Sequence, residues 1–227
     1  MTTFGEIVEP TSRTAWEDWD DIENRIDSHI SKLAWEKDVP VPGQIESLFI
    51  LEGNYLSECV KSQTHLKLQL IDSIPEVNLN IFNAVGTINY FVTVKYYNLV
   101  LSSEIVECLK GYLKVARNVV ALQTKPLPEF QTSVLTNQDC IIRTLSTTLP
   151  VSIDIKYPKL EQPNIISGIS AGVLSLREHL DMSCVAIICF VEQLEEVHEV
   201  KTLLEKFNIV RNVNTKPANV LDSNLYI

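Results

Sequence analysis

Gly168-Ile-Ser170-Ala-Gly172 has the G-x-S-x-G spacing that puts a serine on a sharp strand-to-helix turn, and Asp181 and His198 follow in the order serine, acid, histidine. Such a set would carry out acyl transfer, the imidazole taking the serine proton while the acid orients the ring. The turn requires a strand running straight into it. Here Leu160-Glu-Gln-Pro-Asn164 precedes it, with Pro163 ahead of Gly168 and no run of strand formers. The same residues fit a glycine-flexed helix start with Ser170 as its cap, and this is the preferred reading. A serine hydrolase using Ser170, His198 and Asp181 is the minor alternative.

Other catalytic chemistry finds less support. His29, His65, His179 and His198 are scattered, and His198-Glu199 lacks the second histidine four residues on that a zinc protease helix needs. Cys184 and Cys189 are five apart on an expected strand, so they point to opposite faces and cannot share an ion. Neither a P-loop nor G-x-G-x-x-G occurs. No cofactor and no metal are expected.

A different kind of chemistry lies in Leu225-Tyr226-Ile227, a hydrophobic residue, a tyrosine and a final residue bearing the carboxylate. A terminal carboxyl titrates at about 3.3–3.7, so at neutral pH it is a fixed anion for a lysine or a group of N–H donors to capture. The Tyr226 ring can bury on the order of 150–250 Å² while its hydroxyl finds a polar partner. Together the three residues read as a docking plug. Pro217 stands ten residues before the end, and ten extended residues reach roughly 33 Å, so residues 216–227 read as a tether.

These groups need elements to position them. Trp16, Trp19, Ile22, Ile26, Ile30 and Leu33 recur at steps of three or four, which predicts an acidic amphipathic helix. Val39-Pro-Val-Pro-Gly43 ends it, giving an extension over residues 1–43 that covers a flank of its own domain or faces a partner. Over 44–215 the sequence predicts an α/β core. Leu48–Leu51 reads as a buried strand closed by a Gly53-Asn54 turn. Alternation at Leu66, Leu68 and Leu70, at Val77, Leu79 and Ile81, and from Ile88 to Tyr96 predicts three half-buried strands. A helix capped by Ser102 or Ser103 follows, then strands over 115–122 and 140–145. Helices through Ile169–Leu180 and Leu194–Phe207 flank a doubly apolar strand from Cys184 to Val191. Continuous apolar strands alternating with helices predict one three-layer α/β domain with a mixed sheet.

Composition restricts the partners. The formal charge of -10 is concentrated at the start, where residues 1–40 hold ten Asp/Glu against four Lys/Arg. No basic block interleaved with aromatics exists, so a nucleic-acid backbone would be repelled. The opening Met1–Glu6 lacks a basic start and an apolar run, so no signal peptide is expected, and the longest apolar stretch is far short of the roughly 20 residues that span a bilayer. Five irregularly spaced cysteines (Cys59, Cys108, Cys140, Cys184, Cys189) read as reduced thiols of a cytoplasmic or nuclear protein.

Three separated segments converge on one family. Thr3-Phe-Gly-Glu-Ile-Val8 ahead of an acidic stretch, Leu160-Glu-Gln-Pro-Asn-Ile165 before a helix, and the ending Ser223-Asn-Leu-Tyr-Ile227 together resemble the proteasome assembly chaperone 1 family. Ser47-Leu-Phe-Ile-Leu-Glu-Gly-Asn54 resembles that family's first core strand. The resemblance implies a non-enzymatic chaperone that forms a heterodimer with proteasome assembly chaperone 2 and caps the outer face of the 20S proteasome α-ring during assembly. It implies further that Leu225, Tyr226 and the carboxylate of Ile227 enter a pocket between neighbouring α subunits and meet a lysine there. An adaptor with the same core and an inert tail is the alternative from another class.

Overall fold

The computed structural model describes residues 33–63, 65–132, 138–192 and 198–211. Of the expected amphipathic N-terminal helix only its last marker, Leu33, is described, buried in the core in non-helical backbone; Trp16 to Ile30 and the docking residues Leu225, Tyr226 and Ile227 lie outside the described residues. Seven strands form one sheet: β1 (Ile45–Glu52), β2 (Leu68–Ile74), β3 (Leu79–Ala84), β4 (Asn89–Val94), β5 (Ala116–Pro126), β6 (Cys140–Ser146) and β7 (Cys184–Val191). Their order is β2-β3-β4-β1-β5-β7-β6. β4, β1, β5 and β7 run parallel, and β2, β3 and β6 add antiparallel pairs at the two sides.

Four helices cover the sheet: α1 (Asn54–Lys61), α2 (Ser102–Val115), α3 (Gly168–His179) and α4 (His198–Lys206). Strand alternation divides the core. Leu48, Ile50, Val119, Ala121, Ala186 and Ile188 pack with Ile105 and Leu109 of α2 and Ile169 and Val173 of α3. Phe49, Leu51, Val120, Leu122 and Ile187 face the other way, onto Leu56 and Val60 of α1 and Val200, Leu203 and Leu204 of α4. All eight residues of β7 are buried, as expected of a strand covered on both faces. At about 1.5–3 kcal/mol for each fully buried aliphatic side chain, these two layers supply most of the force for folding. The result is the expected α/β domain of three layers around a mixed sheet.

Several boundaries differ from expectation for local reasons. Gly53 does not close a turn: at φ 127° it is the N-cap of α1, whose eight residues include Leu56 and Val60 facing the sheet. Val77 lies in a 3-10 turn, Pro75–Val77, ended by Asn78 in the left-handed conformation, so β3 starts at Leu79. In β2 a register shift between Leu70 and Asp72 re-aims the side chains, leaving Leu70 exposed and Asp72 buried. α2 is entered through a 3-10 turn, Leu99–Leu101, where the side chain of Asn98 accepts from the N–H of Val100, so neither Ser102 nor Ser103 is the cap. Ser167 stands at the N-cap of α3, and Ser170 lies inside the helix.

Two buried polar anchors tie loops to this frame. The carboxylate of Asp72 accepts from the main-chain N–H groups of Lys37, Val39 and Ser73 at 3.0, 3.2 and 2.8 Å, fixing the segment that leads into β1. Arg177 of α3 is fully buried, and its guanidinium donates to the carbonyls of Leu113, Ala116, Arg117 and Ser183. It thereby satisfies the end of α2 and the strand starts below it.

Candidate functional site

In an open parallel sheet, ligands enter outside the carboxyl ends of the strands, where neighbouring chains leave to opposite faces. That point lies between β1 and β4 here. After β1 the chain turns into α1 on one face, and after β4 it turns into α2 on the other. Glu52 ends β1, opposite Val94 of β4 and Gln123 of β5. Strand parity directs Glu52 and Gln123 to the α2–α3 face, where both are buried.

The chain's own α3 occupies that place. Oε2 of Glu52 accepts from the N–H of Ser170 at 3.1 Å and from its hydroxyl at 2.7 Å. Oε1 accepts from Nε2 of Gln123 at 3.0 Å and from the hydroxyl of Tyr97. The Tyr97 oxygen in turn accepts from the N–H of Ile169 at 3.0 Å. Two of the unpaired N–H groups in the first turn of α3 are thus satisfied from the sheet, and a carboxylate stands where the helix dipole favours negative charge. Burial, and then the charge of Glu52, push the Tyr97 phenol well above its ordinary range, so Tyr97 acts as a neutral donor. Lys125 closes the rim, its ammonium 3.2 Å from the Ser167 hydroxyl.

The conformation of Gly168 makes this approach possible. Its φ is +75°, and a Cβ there would collide with Oε1 of Glu52 and the Tyr97 hydroxyl. Glycine alone combines that backbone with that proximity. The glycine-flexed start is therefore real, while the capping group is the Glu52 carboxylate and not the Ser170 hydroxyl.

The alternative triad is not assembled. Ser170 is fully buried with its hydroxyl committed to Glu52. Asp181 is the left-handed residue that terminates α3, with the Met182 N–H returning to the Arg177 carbonyl at 2.9 Å. His198 is exposed at the start of α4, on the opposite face of the sheet. No strand leads into Gly168 among the described residues; the preceding stretch makes only an isolated bridge between Thr144 and Lys159.

The cysteines are all free thiols, with Cys184 and Cys189 buried on opposite faces. Burial pushes the Cys184 thiol up to about 12 and Cys140 up to about 11, which leaves both protonated and poorly nucleophilic. Among the described residues no group of three or more His, Cys, Asp or Glu could hold a metal ion. No described helix is long and apolar enough to cross a membrane. The loops at the closed end present Tyr96, Leu99, Val100 and Ile165 to solvent, each at least 60% exposed.

The fold is similar to that of solved structures from Pyrococcus furiosus. PbaA, an archaeal homolog of proteasome-assembly chaperone, matches with a TM-score of 0.53 at 11% identity, over 80% of this chain and 88% of that one. Its monoclinic form gives 0.51 at 13% identity, over 74% and 78%. PbaB, an archaeal proteasome activator, gives 0.51 at 8% identity, over 72% and 82%. At these identities the likeness establishes the fold. No protein-family model matches the sequence, and no curated protein matches it.

Proposed function

We propose that this chain is a non-catalytic chaperone of 20S proteasome assembly, of the proteasome assembly chaperone 1 type. It pairs with proteasome assembly chaperone 2 and holds the α-ring through Leu225, Tyr226 and the carboxylate of Ile227. The observation that carries this reading is the closed crevice: where such a sheet would take a small ligand, Gly168–Ser170 is hydrogen-bonded onto Glu52. Recognition then falls to surfaces and to the chain's end. The shared fold of PbaA and PbaB, both described by their proteasome connection, supports the same direction.

The energetics suit a factor that grips and releases. Burying the Tyr226 ring is worth at most roughly 4–6 kcal/mol, before tail ordering and lost rigid-body freedom remove most of it. One tail binds weakly; two tails on a heterodimer, or a tail plus the folded body, gain by effective concentration. In this reading residues 1–43 form the acidic extension, 44–215 the core and 216–227 the docking tail, in a cytoplasmic or nuclear protein.

Native mass spectrometry of the tagged chain purified from its own cells tests the partners. Proteasome assembly chaperone 2 and 20S α subunits are the expected companions. Finding neither would favour the adaptor with an inert tail.

A further inference from the structure

On the α1–α4 face, a groove of about 320 Å³ runs between α4 and the irregular segment 151–157. Ile153, Ile155, Tyr157, Leu203 and Phe207 give it apolar walls. Among the described residues, the main-chain N–H and C=O groups of 154–156 make no hydrogen bond, so one wall also carries an unpaired backbone edge. Lys206 stands at the rim, its ammonium 3.1 Å from the Tyr157 hydroxyl and 4.8 Å above that ring. The ammonium has three donors and this contact uses one. The other charges at the groove, Asp154 and Lys156, pair with each other at 3.0 Å. Apolar walls, an unpaired backbone edge and a lysine with spare donors are what an extended peptide with a terminal carboxylate requires.

The chain's own end has that chemistry and starts beside the groove. The described residues stop at Arg211, five after Lys206, with the Arg211 N–H on Oε1 of Gln63 at the same face. Residues 212–227 follow, enough to reach roughly 50 Å when extended. Closing so short a loop costs little, because the penalty grows only with the logarithm of its length.

Resting on the reading of residues 225–227 as the docking element, we infer that in the free protein Leu225-Tyr226-Ile227 lies in this groove, beside residues 154–156, with its carboxylate on Lys206. The tail must leave the groove before it can enter an α-ring pocket. Parking shields the aromatic end and sets the apparent ring affinity: a tail parked nine-tenths of the time weakens binding about tenfold.

The test compares amide resonances of the full chain with those of a chain lacking residues 225–227. Shifts at 153–157 and 203–207 are expected, restored by adding a synthetic Val220–Ile227 peptide to the truncated chain. The peptide amidated at its C-terminus, or the Lys206→Glu variant, should not restore them. Silence at those residues overturns the inference, as do groove shifts in the truncated chain that follow protein concentration, the mark of a second copy. Where the deletion weakens ring binding, Lys206→Glu with an intact tail should bind rings about tenfold more tightly; an unchanged affinity overturns parking. Lost ring binding with a silent groove defeats only this inference, and groove shifts with unchanged ring binding defeat only the docking role.

Discussion

Glu52 and Ser170, 118 positions apart, are joined twice: one carboxylate oxygen accepts both the main-chain N–H and the hydroxyl of the serine. The pair locks the start of α3 onto the end of β1. Glu52→Gln replaces an acceptor of four donors with a group that presents a donor of its own to them. We expect a loss of about 2–4 kcal/mol in denaturant unfolding, larger than the loss from Ser170→Ala. In the folded protein a serine-reactive phosphonate should leave Ser170 unmodified; labelling abolished by Ser170→Ala would restore the hydrolase reading.

Gly168 tests the same contact from the backbone side. With φ at +75° and no room for a Cβ, Gly168→Ala should cost about 1–3 kcal/mol. Gly43→Ala is the control, since a Cβ there meets nothing within 4 Å. Equal midpoints for the two variants in urea would show that α3 can retreat from Glu52 without penalty.

Much of this fold is legible in the sequence because its signals are local. Cys184–Val191 is apolar throughout, and its eight-residue length and β-branched content favour a strand buried on both faces. The steps from Ile105 to Leu113 name the inward side of α2 without any tertiary information. α1 is not legible: Gly53-Asn54 has the chemistry of a turn, and only two of the eight helical residues, Leu56 and Val60, are apolar and buried. The Glu52 cluster is harder still. Its members come from β1, the loop after β4, β5 and α3, and no local period joins them; an acidic residue ending an apolar strand is the only trace Glu52 leaves. The groove escaped for the same reason, since Tyr157 and Lys206 meet only through the fold.

Arg177 is a buried cation facing carbonyl oxygens and no carboxylate among its described partners. Removing its fork strips a donor from the carbonyls of Leu113, Ala116 and Ser183, while that of Arg117 keeps the Ser183 hydroxyl. Arg177→Met should therefore destabilise by about 3–5 kcal/mol despite its good packing. Arg177→Lys should recover only part of that, because an ammonium cannot span the same oxygens. Chemical denaturation of the three proteins measures the order.

Asp72 gives the protein an acid limb of defined sign. Burial raises its pKa, but the N–H groups of Val39, Lys37 and Ser73 outweigh that, and the carboxyl is held below its ordinary value. An unfolded aspartate titrates at about 3.9, so on acidification the unfolded chain takes up the proton first. The stabilisation is complete above that value and is lost as pH falls through the lower, folded pKa. Asp72→Asn should be less stable at neutral pH and show a shallower decline in unfolding free energy between pH 5 and pH 2. A parallel decline in both proteins would remove Asp72 from the account.

The docking role stands on three residues whose loss should leave the body intact. In the proposed division the core is residues 44–215, so a chain lacking 225–227 should still fold and pair with the second subunit. Affinity for assembled α-rings should fall. Tyr226→Ala removes most of the buried area, and after ordering costs the net loss should be about 1–3 kcal/mol, roughly 5- to 150-fold in Kd. Tyr226→Phe keeps the ring and should lose no more than about tenfold, the value of one neutral hydrogen bond. Ring affinity that ignores the deletion, measured on a heterodimer that still forms, would move recognition from the tail to the folded body and its exposed Tyr96, Leu99, Val100 and Ile165.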